Sequence, residues 1–247
     1  NGQNMGIEIA MTTNGSLLTQ KAQALKEAGL DRLTISLDSI DDATFRQMND
    51  VNFPLEKVLE SVKAAEAAGF ETLKFNTVVK RGWNDHQILD LAAHFRGTKH
   101  ILRFIEYMDV GNTNGWRLDQ VVPAKEIIET IHAKFPLVPV NSNYRGEVAR
   151  RWRYQDGSGE IGVIASVTQP FCGECSRARL SATGQLYTCL FATSGQDLRE
   201  MLRSGASDEH IRTQIQTIWR DRNDHYSEIR SANTSDLNKI EMSYIGG

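Results

Sequence analysis

The sequence predicts an α/β fold: a parallel sheet of βα units in the first half, then a region with an antiparallel hairpin and helices. Three observations predict it. Four apolar strands alternate with amphipathic helices before residue 110. The segments KEAGLDRLTIS and AEAAGFETLKFN repeat one pattern of helix end, glycine, short loop and strand, which gives parallel strands with right-handed crossovers. From about Val122 the alternation stops, and EVARRWRYQDGSGEIGVIAS reads as a hairpin turning at Asp156-Gly157.

In chain order, the stretch IEIAMTTNG from Ile7 is a buried strand entering a turn at Asn14-Gly15. Thr19 is expected to cap a helix that sets Ala22, Leu25 and Ala28 on one face and ends at Gly29. LTISLD from Leu33 is the second strand, and Asp41-Asp42 cap the next helix. Pro54 opens a helix with Leu55, Val58, Leu59 and Val62 as its buried stripe, closed by Gly69. LKFNTVV from Leu73 and ILRFIEYM from Ile101 are strands three and four, with a helix around Ile88 to Phe95 between them. A helix from Pro123 to Phe135 leads into the hairpin, and residues 194–229 read as charged helices. Each early strand ends in polar residues: Thr12, Thr13 and Asn14; Ser36 and Asp38; Asn76 and Thr77; Glu106 and Asp109. In parallel α/β folds that end of the sheet carries the site. Four strands do not close an eight-stranded barrel, so the expectation is an open sheet or part of a barrel whose first strands are absent.

A chain of 247 residues with net charge −3 is not built around a broad nucleic-acid surface, and no apolar run reaches the length of a membrane span. No signal peptide is visible, and the three cysteines lie in one cluster. That pattern fits a reducing, cytoplasmic setting better than a disulfide scaffold. The first residue is Asn1 and the first strand follows almost at once, so an amino-terminal piece is expected to be missing.

Cys172, Cys175 and Cys189 sit in FCGECSRARLSATGQLYTCLFA. Three thiolates are one ligand short of a closed tetrahedron. Zinc would need a remote histidine, such as His132, His210 or His225, and none has metal-ligand spacing to the cysteines. An iron–sulfur cluster held by three thiolates keeps one iron open and is the preferred reading over a redox pair or packed thiols. Arg177 and Arg179 alternate, so in an extended segment both point one way, and their planar forks suit phosphate or carboxylate. A solvated basic surface is the plain alternative. Lys74 and Asn76 share a strand face, as do Arg103 and Ile105; a lysine there either meets an anion or faces solvent. The TTNG strand end is a turn former before it is a ligand site. The Gly246-Gly247 terminus is, on composition alone, a frayed end.

Taken together, MTTNG, LTISLDSIDD, KFNTVV, RFIEYMDVGNTNGW, GEVARRWRY, the cysteine–RAR segment and the terminal YIGG resemble the GTP 3′,8-cyclase family of molybdenum cofactor biosynthesis, within the radical S-adenosylmethionine superfamily. The resemblance spans essentially the whole chain. It implies a TIM-type radical S-adenosylmethionine barrel, here partial, over residues 1–121, and a cluster- and GTP-binding region over 122–247. The implied reaction is that of a lyase: a 5′-deoxyadenosyl radical takes hydrogen from the ribose 3′ carbon of GTP, and that carbon joins guanine C8 to give 3′,8-cyclo-7,8-dihydroguanosine triphosphate.

Residue by residue, the resemblance makes Cys172, Cys175 and Cys189 ligands of a [4Fe–4S] cluster whose open iron meets guanine. It puts Arg177, Ala178, Arg179, Thr12 and Lys74 on GTP, Ser36 and Met108 on S-adenosylmethionine, and Arg103 on a ligand. Gly246 and Gly247 would support catalysis from the tail. Implied partners are a cyclic pyranopterin monophosphate synthase downstream and a second copy in a homodimer. The family's CxxxCxxC for the first [4Fe–4S] cluster is absent from this sequence, as are its early arginine and glycine-rich S-adenosylmethionine loop. The chain alone is therefore expected to be inactive in cleaving S-adenosylmethionine. Rival readings are a zinc-binding structural or interaction protein, a radical enzyme with an auxiliary cluster acting on another substrate, and a catalytically dead nucleotide sensor.

Overall fold

The structure, a computed structural model, describes residues 6–230 and 238–245. Contacts divide the chain into two units, residues 1–107 with 118–168, and residues 108–117 with 169–247. This division differs from the expected boundary at 121/122. The helix and hairpin after Val122 join the first sheet instead of starting a new unit, because the strand Glu160–Ile164 finds its parallel neighbour in the strand Ile101–Glu106.

The first unit is built on strands β1 (Ala10–Thr13), β2 (Arg32–Ser36), β3 (Lys74–Val79), β4 (Ile101–Glu106), β5 (Leu137–Val140), β6 (Arg150–Tyr154) and β7 (Glu160–Ile164). They lie in the order β1-β2-β3-β4-β7-β6-β5. The first four and β7 run parallel, while β5, β6 and β7 pair antiparallel. Among the described residues no pairing joins β1 to β5, and the sheet they form is open.

One sheet face is apolar. Leu33, Ile35, Phe75, Leu102, Phe104 and Ile161 are buried there, beneath helices α1 (Leu18–Glu27), α3 (Leu55–Ala67), α4 (Ile88–Phe95) and α5 (Ala124–Lys134). Phe75 meets Phe95 of α4 with ring centroids 4.4 Å apart. Burying side chains of this size contributes about 1.5–3 kcal/mol each. Helix α2 (Asp42–Asn49) is capped as its sequence predicts, with Asp41 Oδ1 accepting from the Thr44 N–H at 2.9 Å. Helix α1 is not capped by Thr19, which lies inside it. The N-cap is Leu17, with no side-chain cap, because the polar residues before it close the Asn14 turn. There Asn14 Oδ1 accepts from the Ser16 N–H and hydroxyl at 3.1 and 2.8 Å.

Glu106, at the end of β4, is fully buried. It accepts from the N–H groups of Ala124 (2.7 Å), Val167 and Thr168 (both 2.8 Å). One carboxylate thus fixes the start of α5 and the loop after β7, satisfying donors that burial would otherwise strand.

The second unit holds a small antiparallel sheet of β8 (Arg179–Leu180), β9 (Gln185–Tyr187) and β10 (Gln196–Asp197), and helices α6 (Leu198–Arg203), α7 (Asp208–Arg220), α8 (Tyr226–Ile229) and α9 (Met242–Ile245). Its buried apolar residues include Tyr187, Phe191, Leu198, Tyr226 and Ile245. No helix among the described residues is long and apolar enough to cross a membrane.

Candidate functional site

In the first unit the sheet face opposite the helices is polar, and its residues fall into two rows. Register aligns Thr12 with Thr34 and Thr34 with Lys74. The next row aligns Ser36, Asn76, Arg103, Gly162 and Arg151. Strand alternation puts both rows on one face, the layered arrangement expected of parallel α/β sheets. The sequence-predicted residues Thr12, Lys74, Ser36 and Arg103 therefore share one surface. Asn76, read in the sequence as a polar strand end sharing the face of Lys74, lies there too, and Thr34 and Arg151 join them although sequence reasoning gave those two no role. The only signal for Thr34 and Arg151 was the two-residue period.

This face holds more polar capacity than it satisfies. Arg103 Nη2 donates to Thr34 Oγ1 at 3.3 Å, but its Nε is buried with no acceptor among the described residues. Asn76 Oδ1 is likewise buried without a donor. Lys74 Nζ forms no hydrogen bond or ion pair among the described residues. Burial, then the neighbouring Arg103 and Arg32, push the Lys74 ammonium below its usual range, and burial does the same to Arg103. Glu8 and Glu147 offset only part of this charge, and clustered buried cations are costly unless an anion joins them. Gly162 makes the arginine fit: a Cβ there would lie 3.0 Å from Arg103 Cγ.

Asp38 follows Ser36 on the same strand end. Its Oδ1 accepts from the Val78 N–H at 2.7 Å, yet burial pushes its carboxyl up to about 6.

In the second unit Cys172–Glu174 form a single 3₁₀ turn, closed by the Cys175 N–H donating to the Cys172 carbonyl at 3.1 Å. Side chains three apart in such a turn eclipse, so CxxC sets two sulfurs on one side. Beyond it, burial alternates: Cys175, Arg177 and Arg179 are half-buried, while Ser176, Ala178 and Leu180 are exposed. The alternation expected for the two arginines is present, with Ala178 on the opposite face. The chain then turns at Gly184, which has φ of 82° and would press a Cβ to 2.6 Å from Arg199 Cβ. Strand β9 returns with Tyr187 opposite Arg179, and two residues further the same register leads to Cys189.

All three cysteines are free thiols, half-buried. Arg177 donates to Cys175 Sγ from Nε at 3.4 Å and Nη2 at 3.2 Å. Burial raises the Cys175 thiol, but the Arg177 main chain and guanidinium outweigh it and leave the group below its ordinary value. Burial raises Cys189, against the Phe191 N–H that its sulfur accepts at 3.4 Å. Cys189 also feels Cys172 and Arg179, and Arg179 feels Cys175, so thiols and arginines form one electrostatic group. Arg179 is pushed down by burial and donates to no protein acceptor among the described residues.

No three His, Cys, Asp or Glu side chains among the described residues are gathered to hold a metal ion. The donor chemistry nevertheless fits a thiolate-bound cluster: three reduced cysteines, two of them taking N–H bonds at sulfur. Two of the three histidines considered for zinc have other partners for their side chains. His132 Nδ1 accepts from the Leu137 N–H at 3.1 Å, and His225 pairs with Glu228 at 2.9 Å.

Met108 lies in the second unit, its carbonyl accepting from Asn114 Nδ2 at 2.8 Å. Next to it, sequence reasoning missed a buried charge cluster. Asp109 pairs with Arg230 Nε at 2.8 Å and Lys239 Nζ at 2.9 Å, and takes the Tyr226 hydroxyl. Gly246 and Gly247 lie outside the described residues.

Residues 3–95 match the model of the Radical SAM superfamily, and residues 100–228 match that of Molybdenum Cofactor Synthesis C. The GTP 3′,8-cyclase of Xanthomonas campestris pv. campestris (strain B100) is 49% identical over 243 residues, covering 98% of this chain and 71% of its own length. That of Acidothermus cellulolyticus is also 49% identical, over 97% of this chain and 73% of its own. A solved radical SAM methyltransferase from Sphaerobacter thermophilus aligns at 18% identity and a TM-score of 0.41, over 52% of this chain and 39% of its own, a likeness too slight to argue from. On the strength of the relatives and the two family models, this chain belongs to the GTP 3′,8-cyclase family of the radical SAM superfamily.

Proposed function

We propose that this chain carries the substrate-handling machinery of a GTP 3′,8-cyclase, the lyase that opens molybdenum cofactor biosynthesis. The observation that carries the reading is the group formed by Cys172, Cys175 and Cys189 with Arg177 and Arg179. Three reduced thiols and two guanidinium forks, in one electrostatic group, suit a cluster beside an anionic ligand.

In this reading Cys172, Cys175 and Cys189 hold a [4Fe–4S] cluster and leave one iron position for guanine. Arg179 offers its fork, without a protein acceptor among the described residues, to the triphosphate; Arg177 lines the same approach, and Ala178, whose side chain faces the other way, contributes main chain between them. Lys74, with Thr12 in its row, neutralises phosphate charge. Ser36 and Met108 serve S-adenosylmethionine, Asn76 and Arg103 offer a buried acceptor and donor that lack partners among the described residues, and the Gly246-Gly247 tail supports the reaction. S-adenosylmethionine, when bound with its own cluster, supplies the radical that removes hydrogen from ribose C3′ before that carbon joins guanine C8. This chain's residues fix the nucleotide so that C3′ and C8 meet, a matter of orientation and charge neutralisation. The three cysteines of this sequence suffice for one cluster. A cyclic pyranopterin monophosphate synthase would consume the product.

The test is anaerobic reconstitution of the 247-residue chain with iron and sulfide, followed by metal analysis and electron paramagnetic resonance with and without GTP. Iron and sulfide at cluster stoichiometry, with a signal altered by GTP, are expected. One zinc per chain without iron would overturn the reading.

A further inference from the structure

Arg177 aims its fork at a sulfur. Its Nε and Nη2 lie 3.4 and 3.2 Å from Cys175 Sγ, and its guanidinium rests 5.0 Å from the centre of the Phe171 ring. A second arginine reaches the same residue from elsewhere in the unit. Arg222 Nη2 donates to the Cys175 carbonyl at 2.5 Å, and its guanidinium lies over Trp219 at 3.5 Å. Both forks are thus held by an aromatic face and directed at one cysteine. The other two differ: among the described residues Cys189 Sγ takes only the Phe191 N–H, and no donor reaches the Cys172 sulfur. The three ligands are therefore electrostatically unequal.

Hydrogen bonds and positive charge at a ligating thiolate withdraw electron density and favour the reduced, more negative cluster. We propose that Arg177, backed by Arg222, sets the reduction potential of the cysteine-bound cluster through Cys175, beyond any share Arg177 takes in lining the nucleotide site. Both are positioning residues in this respect, since they act through the ligand. Arg222 lies just past α7 and has no part in the cysteine–RAR motif, so its role is visible only from the fold. The inference rests on the cluster reading of the three cysteines.

The test is a redox titration of the anaerobically reconstituted chain, followed by electron paramagnetic resonance, with iron counted in every sample. The variants are Arg177→Gln, Arg177→Lys and Arg222→Gln. In Arg177→Gln the midpoint potential is expected to move negative by a factor of about ten in the reduction equilibrium, ~59 mV for one electron. Arg222→Gln moves it the same way by less, and Arg177→Lys, which keeps the charge but loses the fork, falls between wild type and Arg177→Gln. If Arg177→Gln takes up no iron, the Lys variant carries the comparison. An iron-loaded Arg177 variant at the wild-type potential overturns this inference and leaves the cluster reading standing. A wild-type chain that takes up no iron overturns the cluster reading, and this inference falls with it.

Discussion

Arg179 and Asp38 are the two side chains whose surroundings say most about ligand binding and pH. Arg179 is desolvated without gaining an acceptor among the described residues, so an anionic ligand is its natural complement. Arg179→Ala should weaken GTP binding by about 1.5–3 kcal/mol, the range for hydrogen bonds to charged groups. Calorimetric titration of the reconstituted chain measures this, and an unchanged affinity would remove Arg179 from the site. For Asp38 the fold favours the protonated acid, since burial raises it to about 6. A raised carboxyl helps the fold most below its unfolded value. That help is lost as pH climbs from roughly 4 to the native value, and the penalty is then constant. Asp38→Asn keeps an oxygen for the Val78 N–H and removes the penalty. It should raise stability near neutral pH by on the order of 1–3 kcal/mol, with the gain shrinking toward pH 4. Urea unfolding at several pH values decides this, and a variant destabilised at neutral pH would contradict it.

Elements decide which of these groups meet, and here sequence and structure part company in instructive ways. The rows of Thr12, Thr34 and Lys74 and of Ser36, Asn76 and Arg103 were legible because a strand's period of two forces them onto one face. Strands β8 and β10, of two residues each, leave no pattern to read, because pairing across the hairpin creates them. Arg222 lies just past α7, which has no buried residue and looks in sequence like an exposed charged helix. Asp109 looked like a polar strand end, but it closes a buried cluster with Arg230 and Lys239, 121 and 130 residues along the chain. Burial raises its carboxyl, but Tyr226, Lys239 and Arg230 outweigh that and hold it below the usual range. Its stabilising effect is therefore complete above the ordinary carboxylate pKa and disappears as pH falls through the lowered native value. Asp109→Asn takes from Arg230 and Lys239 the carboxylate they share, and a loss of about 3–5 kcal/mol is expected. Thermal unfolding near neutral pH measures it, and an unshifted transition would mean that the cluster contributes nothing.

At the scale of the whole molecule, the two units depend on different forces. The first has an extensive apolar core beneath its sheet. The second buries fewer large apolar side chains, among them Tyr187, Phe191, Leu198, Tyr226 and Ile245, and small cores of this kind gain much from a metal centre that ties distant segments. Reconstitution with iron and sulfide should raise the unfolding transition of the second unit and leave that of the first in place, as scanning calorimetry of both forms can show; no change in either transition would mean that the cysteines tie nothing together. The family assignment rests on relatives that match nearly the whole chain, whereas the role of each residue rests on the geometry of its own unit. The most direct test of the central claim is the electron paramagnetic resonance spectrum of the reduced, reconstituted chain, recorded before and after GTP is added. A [4Fe–4S] signal that GTP perturbs is the predicted result; absence of that signal, or a signal indifferent to GTP, would contradict the account.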